Sequence, residues 1–193
     1  MPQVSGKELE ELIIYRAKEI EEPAGVYTQA RCGTISIFKD NAWIPMNSLP
    51  DFTCCLKEYG GQEAVFDCKV CTQSSYPLSG GTHKSFQHQY KYLRKRDAFG
   101  ALAFIIMHFN ERKMKTTVQP ELTVLLPVTN APLWDAYDVG QQKSITRTEA
   151  ALYGLPIVWD APGRRTTQSP NIYAAIVEYN RRRGRERYNI DSK

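Results

Sequence analysis

No stretch of this chain is apolar for long enough to span a membrane. The longest, Ala98 to Met107, reads as a buried strand instead. A signal-peptide plan is also missing: MPQVSGKELEEL is polar and acidic where a leader would be basic and then apolar. A cytoplasmic protein is expected. Cysteine is scarce and odd in number, five in 193 residues, which is not the pattern of a disulfide framework, so reduced thiols are expected. Nor do Cys54-Cys55 and Cys68-x-x-Cys71 read as a zinc site. Neighbours on a strand point to opposite faces, as do positions three apart, so these thiols read as small buried hydrophobes. Internal repeats and linkers are absent too. With 42% hydrophobic and 24% charged residues, the economical reading is one soluble α/β domain over 1–193.

Strong net charge is lacking as well, at +4, but it is unevenly placed. From Ala161 onward there are eight Lys or Arg against three acids, an excess of five, so the rest of the chain sums to −1. Arginine dominates this basic segment, 161–193, and its planar fork matches phosphate oxygens. Arg181, Arg182, Arg183, Arg185 and Arg187 are candidate contacts to nucleic acid. The alternative is a solvated tail.

The elements follow from local signals. Ser5 with Glu8 forms a capping box, so a helix starts at Gly6 or Lys7 and runs through 1–22, with Leu9, Leu12, Ile13, Ala17 and Ile20 at helical spacing. Pro23-Ala24-Gly25 ends it. Thr34 to Phe38 alternates like a strand, Lys39-Asp40-Asn41 is a turn, and Ala42 to Pro45 pairs back. Thr72 to Gly81 reads as a loop. A helix spans Lys84 to Arg96, with Phe86, Tyr90 and Leu93 on one stripe and His88, Gln89, Lys91 and Arg94 on its other faces. Strands follow over Ala101 to Phe109 and Glu121 to Pro127. Helices follow over Ser144 to Tyr153 and Pro170 to Arg183.

The informative stretch is SLPDFTCCLKEYGGQEAVFDCKV, two short apolar runs joined through Tyr59-Gly60-Gly61. Phe52, Cys54 and Leu56 share one face, as do Ala64, Phe66, Cys68 and Val70. A three-residue connection buries both sets on one side, with glycine supplying the left-handed conformation it needs. That register puts Asp51 opposite Lys69 and diagonal to Asp67, all pointing away from the apolar face. Two carboxylates and an ammonium together hold a hard divalent cation and can turn water on a phosphodiester. The alternative is the solvated face of an amphipathic hairpin.

Motifs in order narrow this choice. Gly6-Lys7-Glu8-Leu9-Glu10-Glu11-Leu12-Ile13, Pro50-Asp51-Phe52, Phe66-Asp67-Cys68-Lys69, Ser75-Tyr76-Pro77-Leu78, His88-Gln89, Phe99-Gly100 through His108-Phe109, and Lys143-Ser144-Ile145 resemble the RecU-type Holliday-junction resolvases of the PD-(D/E)xK nuclease superfamily. The resemblance spans Gly6 to Leu155. It implies a restriction-endonuclease-like domain, a mixed central β-sheet flanked by helices with a metal-site core over 51–109. It implies Mg²⁺ or Mn²⁺ held by Asp51, Asp67 and the Cys68 carbonyl. Lys69 then orients or deprotonates water or steadies the phosphate. Glu10 holds a second metal or its water, and Gln89 supports the site or contacts the scissile phosphate. For Glu10 the alternative is a solvated face shared with five other acids between Glu8 and Glu22; for His88 and Gln89 it is an exposed helix surface.

Two departures stand out. Asp67 replaces the family's glutamate, a shorter but equally hard ligand. The region 24–50, a basic stalk in the family, carries only Arg31 and Lys39 as cations. It reads as a projecting hairpin with Trp43 or Tyr27 at its tip. The expected function is a Mg²⁺-dependent endodeoxyribonuclease resolving four-way junctions as a twofold homodimer, with Arg31, Lys91, Arg94 and the C-terminal arginines on DNA. The alternatives are a phage or mobile-element nuclease of the same fold cutting flaps, forks or duplex, and a catalytically weak DNA-binding module.

Overall fold

Ser5 and Glu8 start the first helix as the capping box requires: the Glu8 amide donates to Ser5 Oγ at 3.2 Å, and the Ser5 amide donates to Glu8 Oε2 at 2.7 Å. A computed structural model describes residues 3–32, 36–39, 42–45, 50–78, 84–129, 131–160 and 168–191, with backbone alone for 36–39, 42–45, 84–85 and 185–191. Helix α1 (Gly6–Arg16) continues into a π turn, Ala17–Glu21, closed by the Glu22 amide on the Ala17 carbonyl at 2.9 Å. The wider turn brings residues five apart onto one side, so Arg16 Nε donates to Glu21 Oε1 at 2.5 Å. Arg16 is 7% exposed and also binds Asp160, tying α1 to the end of the chain's last strand pair.

The strands are β1 (Tyr27–Arg31), β2 (Ser36–Lys39), β3 (Ala42–Pro45), β4 (Phe52–Leu56), β5 (Gln62–Cys71), β6 (Ser75–Pro77), β7 (Leu102–Phe109), β8 (Arg112–Lys113), β9 (Val118–Gln119), β10 (Leu122–Pro127), β11 (Ser144–Thr146), β12 (Leu155–Pro156), β13 (Trp159–Asp160) and β14 (Ser169–Pro170). The other helices are α2 (Lys84–Ala98), α3 (Pro132–Asp138), α4 (Arg147–Tyr153) and α5 (Ile172–Asp191). Six strands form the central sheet in the order β1-β4-β5-β7-β10-β12. It is mixed: β5 and β7 are parallel, joined through α2, and the other neighbours are antiparallel.

The sheet is covered on both faces. Leu9 and Ile13 of α1 and Ile172, Ile176 and Tyr179 of α5 pack with Phe52, Phe66 and Phe104 on one face. Phe86, Tyr90 and Leu93 of α2, Trp134 of α3 and Ala150 of α4 pack with Val65, Ile105 and Met107 on the other. This is the α/β class expected, and β7 is buried along its whole length, as a strand covered on both faces must be. Among the described residues no helix is long and apolar enough to cross a membrane. The five cysteines are free thiols.

Several boundaries differ from expectation for local reasons. The β4–β5 connection holds five residues rather than three: a 3₁₀ turn over Lys57–Tyr59, then Gly60 and Gly61, both with positive φ, at 65° and 82°. The ladder therefore starts at Leu56↔Gln62, and the register slides by two. A slide of two keeps every side chain on its face, but it sets Asp51 next to Asp67 across the strands instead of opposite Lys69. The helix expected from Ser144 begins at Arg147, because Thr146 and Glu149 form a second capping box and Ser144–Thr146 pairs with β6. The expected loop over 72–81 thus contains a strand. Helix α3 was not expected, although proline at its first position is a start signal. Helix α5 starts two residues later than expected, since Pro170 pairs with Trp159, and it runs on to Asp191. The strand expected from Thr34 is Ser36–Lys39, paired with β3 as Phe38↔Trp43; Thr34 and the Asp40-Asn41 turn lie outside the described residues. Tyr27 is not at a tip: it is 4% exposed in β1 and stacks on Tyr173 at 5.6 Å.

Arg183 also departs from its expected place on DNA. It continues the buried stripe Ile172, Ile176, Tyr179, and its side chain is 13% exposed. Its Nη1 lies 2.9 Å from Asp97 Oδ1 and donates to the Ala101 carbonyl at 2.5 Å, while Nη2 donates to the Asp97 carbonyl at 3.2 Å. It fastens α5 to the turn between α2 and β7. Arg183→Ala is expected to cost about 3 kcal/mol in urea unfolding, the scale of a broken buried ion pair, whereas exposed Arg181→Ala leaves the midpoint in place. Equal midpoints for both variants would show that Arg183 carries no tertiary load.

Candidate active site

The two aspartates meet where the β4–β5 ladder stops. Beyond Phe52↔Phe66 the side chains take over from the backbone pairing. The Asp51 amide donates to Asp67 Oδ1 at 3.0 Å, and the Cys68 amide donates to Asp51 Oδ2 at 2.8 Å. Each carboxylate thus holds a backbone amide at or beside the other. The Asp51 carbonyl in turn accepts from the Cys32 amide at 2.9 Å, fixing the strand's entry.

Asp67 is not on a solvated face. It is 1% exposed, because its side of β5 is covered by α2. From α2, Gln89 Nε2 donates to Asp67 Oδ1 at 3.2 Å. That oxygen has two donors, while Asp67 Oδ2 is buried without a hydrogen-bond partner among the described residues, as is Gln89 Oε1. Burial pushes the Asp67 carboxyl up to about 7; the Lys69 ammonium pulls it down, and the Asp51 carboxylate raises it. Lys69 follows two residues later on the same face. Among the described residues it has no carboxylate within ion-pair distance.

Glu10 of α1 stands at the rim. Burial and the Asp51 carboxylate raise its carboxyl, and Arg31 and Lys69 lower it. It is ion-paired with Arg31 of β1. Asp51, Asp67, Lys69, Gln89 and Glu10 are therefore brought together, with Arg31 beside them. The Cys68 thiol is not part of the group: it is 7% exposed and packs in the core on the opposite face, so only its backbone belongs to the site. His88 is exposed, and Lys91 is exposed on α2.

Other expected DNA contacts are engaged elsewhere. Arg94 donates to the Val128 carbonyl at 3.1 Å and lies 3.9 Å from Asp138 and 5.9 Å over the Tyr90 ring, tying α2 to α3. Arg181 and Arg182 both bind Glu178, at 2.6 and 2.8 Å, and hold its carboxyl down at about 2. The side chains of Arg185 and Arg187 lie outside the described residues. Two neighbours of the site were not expected. Tyr76 of β6 is lifted to about 12 by burial first, with Asp67, Cys71 and Asp51 adding to it, so it lies within electrostatic reach of the aspartates. Its only signal was its place in the Ser-Tyr-Pro-Leu motif. Arg147 lies over the Phe109 ring at 6.0 Å, near the end of β5, and no spacing in the sequence announces it.

The donor set suits one kind of ion. Among the described residues no three of His, Cys, Asp and Glu converge on one point. Two carboxylates with a buried, unpartnered oxygen match Mg²⁺, which takes one or two carboxylates and fills its octahedron with water and substrate phosphate.

A buried carboxylate with one oxygen lacking a partner among the described residues weighs on stability. Its folded pKa, about 7, is above its ordinary 3.8, so stability present below about pH 4 is lost as pH rises through 7. In EDTA at pH 8, Asp67→Asn is expected to unfold at higher urea than wild type, by about 1–3 kcal/mol, with a smaller gap at pH 5. Mg²⁺ should raise the wild-type midpoint and leave the variant's unchanged. A less stable variant at pH 8 would mean that Asp67 is an ordinary structural cap.

No protein-family model matches the chain, and no curated protein matches it. Among solved structures the chain is similar to Hjc, a Holliday junction resolvase from the archaeal hyperthermophile Archaeoglobus fulgidus, at 15% identity, covering 78% of this chain and 95% of that one with a TM-score of 0.45.

Proposed function

We propose that this protein is a metal-dependent endodeoxyribonuclease of the restriction-endonuclease-like type, acting on branched DNA as a Holliday-junction resolvase. One observation carries the reading: Asp67, buried with one oxygen unpartnered, faces Asp51 across the strand end and has Lys69 two residues on. A structural cap would have no need of the second oxygen or of an unpaired lysine beside it. The ordered motifs from Gly6 to Ile145 supply the branched-DNA part of the proposal.

In this reading Asp51 and Asp67 hold Mg²⁺ or Mn²⁺, with the Cys68 carbonyl as a further oxygen. When bound, the cation supplies charge neutralisation at a phosphoryl oxygen and acidifies water. The chain's own residues do the rest. Gln89 fixes the Asp67 carboxylate through Oδ1 and leaves Oδ2 free for the site. Lys69 orients water against the phosphorus or steadies the charge growing on the phosphate. Glu10 stays paired with Arg31 at the rim, where a second cation or a phosphate would exchange with that pair. Two cuts on one junction require two active sites, so a twofold homodimer belongs to the proposal, as does a cytoplasmic setting.

A second reading has its own support. Region 24–50 carries only Arg31 and Lys39 as cations, and Arg31 is already paired with Glu10. A neutral projection favours forks, flaps or duplex over the centre of a four-way junction. Labelled four-way junction, fork, flap and linear duplex incubated with protein and Mg²⁺ separate the two. Cleavage of the junction at paired sites supports resolution; equal rates on all four support the general nuclease.

Asp51→Asn and Asp67→Asn are each expected to remove Mg²⁺-dependent cleavage while DNA binding in Ca²⁺ stays at wild-type strength or tightens, since a negative charge has left the phosphate's surroundings. Lys69→Ala is expected to lower turnover roughly 10²-fold. Cleavage retained by both aspartate variants would place the chemistry elsewhere.

A further inference from the structure

The connection between β7 and β10 is not a loop. Arg112↔Gln119 and Lys113↔Val118 continue the β7–β10 register in step with Phe109↔Leu122, and the Met114 amide on the Thr117 carbonyl at 2.8 Å closes the end. The β7–β10 pair thus runs on past the sheet as a two-stranded ribbon with Lys115 and Thr116 at its tip. The ribbon leaves the sheet beside the end of β5, where the Asn110 amide donates to the Cys71 carbonyl at 3.0 Å. Asp67, Lys69 and Cys71 share one face of β5, so the ribbon starts at the end of the row that carries the site. Burial raises the Cys71 thiol, while Arg112 and Arg147 pull it down, so both guanidinium groups lie near this junction.

The ribbon's surface is cationic and open. Arg112, Lys113 and Lys115 are exposed, as are Met114 at 50% and Val118 at 56%. Glu111 and Glu121 sit at its base. Among the described residues Arg112, Lys113, Lys115 and Arg147 have no carboxylate partner. By contrast, Arg31, Arg94, Arg96 and Arg181 to Arg183 are each ion-paired. The basic groups free to meet phosphate thus include a set gathered on and beside this ribbon.

We infer that the β8–β9 ribbon, with Arg147 at its root, is an arm that grips duplex DNA flanking the cut; this rests on the nuclease reading of the aspartate site. A two-stranded ribbon fits the major groove, about 12 Å wide, and here its cations lie along β8 and at the tip, facing phosphates on one side of the groove. Its reach follows from the register. Asp67 pairs with Ile105, so Arg112 of β8 and Lys115 at the tip lie seven and ten residues further along the chain, which sets an upper bound on the reach. At about 3.3 Å per residue that is about 23 to 33 Å, or roughly seven to ten base pairs at 3.4 Å each. The arm therefore contacts duplex well away from the phosphate being cut.

The test compares wild type with the triple variant Arg112→Ser/Lys113→Ser/Lys115→Ser, the single variant Lys115→Ala, and the control Lys18→Ala/Lys57→Ala, which removes exposed lysines from other surfaces. Binding to four-way junction and duplex is measured across a salt series in Ca²⁺, with hydroxyl-radical footprints of the same complexes. The triple variant is expected to flatten the slope of log affinity against log salt by up to about 2.7, at about 0.9 for each phosphate no longer neutralised. Lys115→Ala should flatten it by about 0.9. The triple variant should also lose backbone protection roughly seven to ten base pairs from the cut while keeping it at the cut. Unchanged slopes and footprints in both arm variants, with wild type binding and cutting DNA, would overturn the arm and leave the nuclease reading standing. An equal loss in the control would overturn it too, since any surface charge would then serve. Wild type that neither binds nor cuts DNA would remove the nuclease reading, and the arm with it.

Discussion

The structure turns on an exchange of amides at one strand end. Asp51 holds the amide of Cys68, and Asp67 holds the amide of Asp51. Those two hydrogen bonds end the β4–β5 ladder and fix both carboxylates against the backbone. They also decide what remains. One Asp67 oxygen is committed twice, while the other is buried without a hydrogen-bond partner among the described residues. Burying a charged oxygen without a donor is costly, and α2 enforces that cost by packing Gln89 over it. The same packing that makes the sheet two-faced leaves one Asp67 oxygen buried without a donor among the described residues.

A second pattern is the division of labour among cations. Basic residues on α2 and α5 act mainly within the fold: Arg183 closes α5 onto the α2–β7 turn, Arg94 links α2 to α3, and Arg96 pairs with Glu63 of β5. Arg16 does the same for α1, between Glu21 and Asp160. Runs of arginine in the sequence thus mark helix docking as much as a charged surface. Among the described residues, the cations without a carboxylate partner include a set near the ends of β5 and β7: Lys69, Arg112, Lys113 and Lys115.

The fold class, the capping box at Ser5, the strands β7 and β10 and the facing of the β4–β5 hairpin were all legible, because each rests on a local period or a local hydrogen bond. So was the grouping of Asp51, Asp67 and Lys69, since alternation fixes faces whatever the turn. The register was not: whether one glycine or both adopt positive φ depends on the 3₁₀ turn at Lys57–Tyr59, which no periodicity reveals. The burial of Asp67 was not legible either, because α2 arrives from 22 residues away to cover it. Partners of the arginines were out of reach for the same reason: Arg183 meets Asp97 across 86 residues. Thr146 with Glu149 and the proline opening α3 were readable signals that the longer apolar patterns around them masked.

The ribbon beyond β7 and β10 shares one unbroken register with the sheet. A paired insertion of two residues in each strand would lengthen it by about 6.6 Å without turning any side chain to the other face. Nothing between Ala64 and Phe109 would need to move. The length of the ribbon and the geometry of the aspartates are thus separable in this architecture: one can grow by such steps while the other keeps every contact described above.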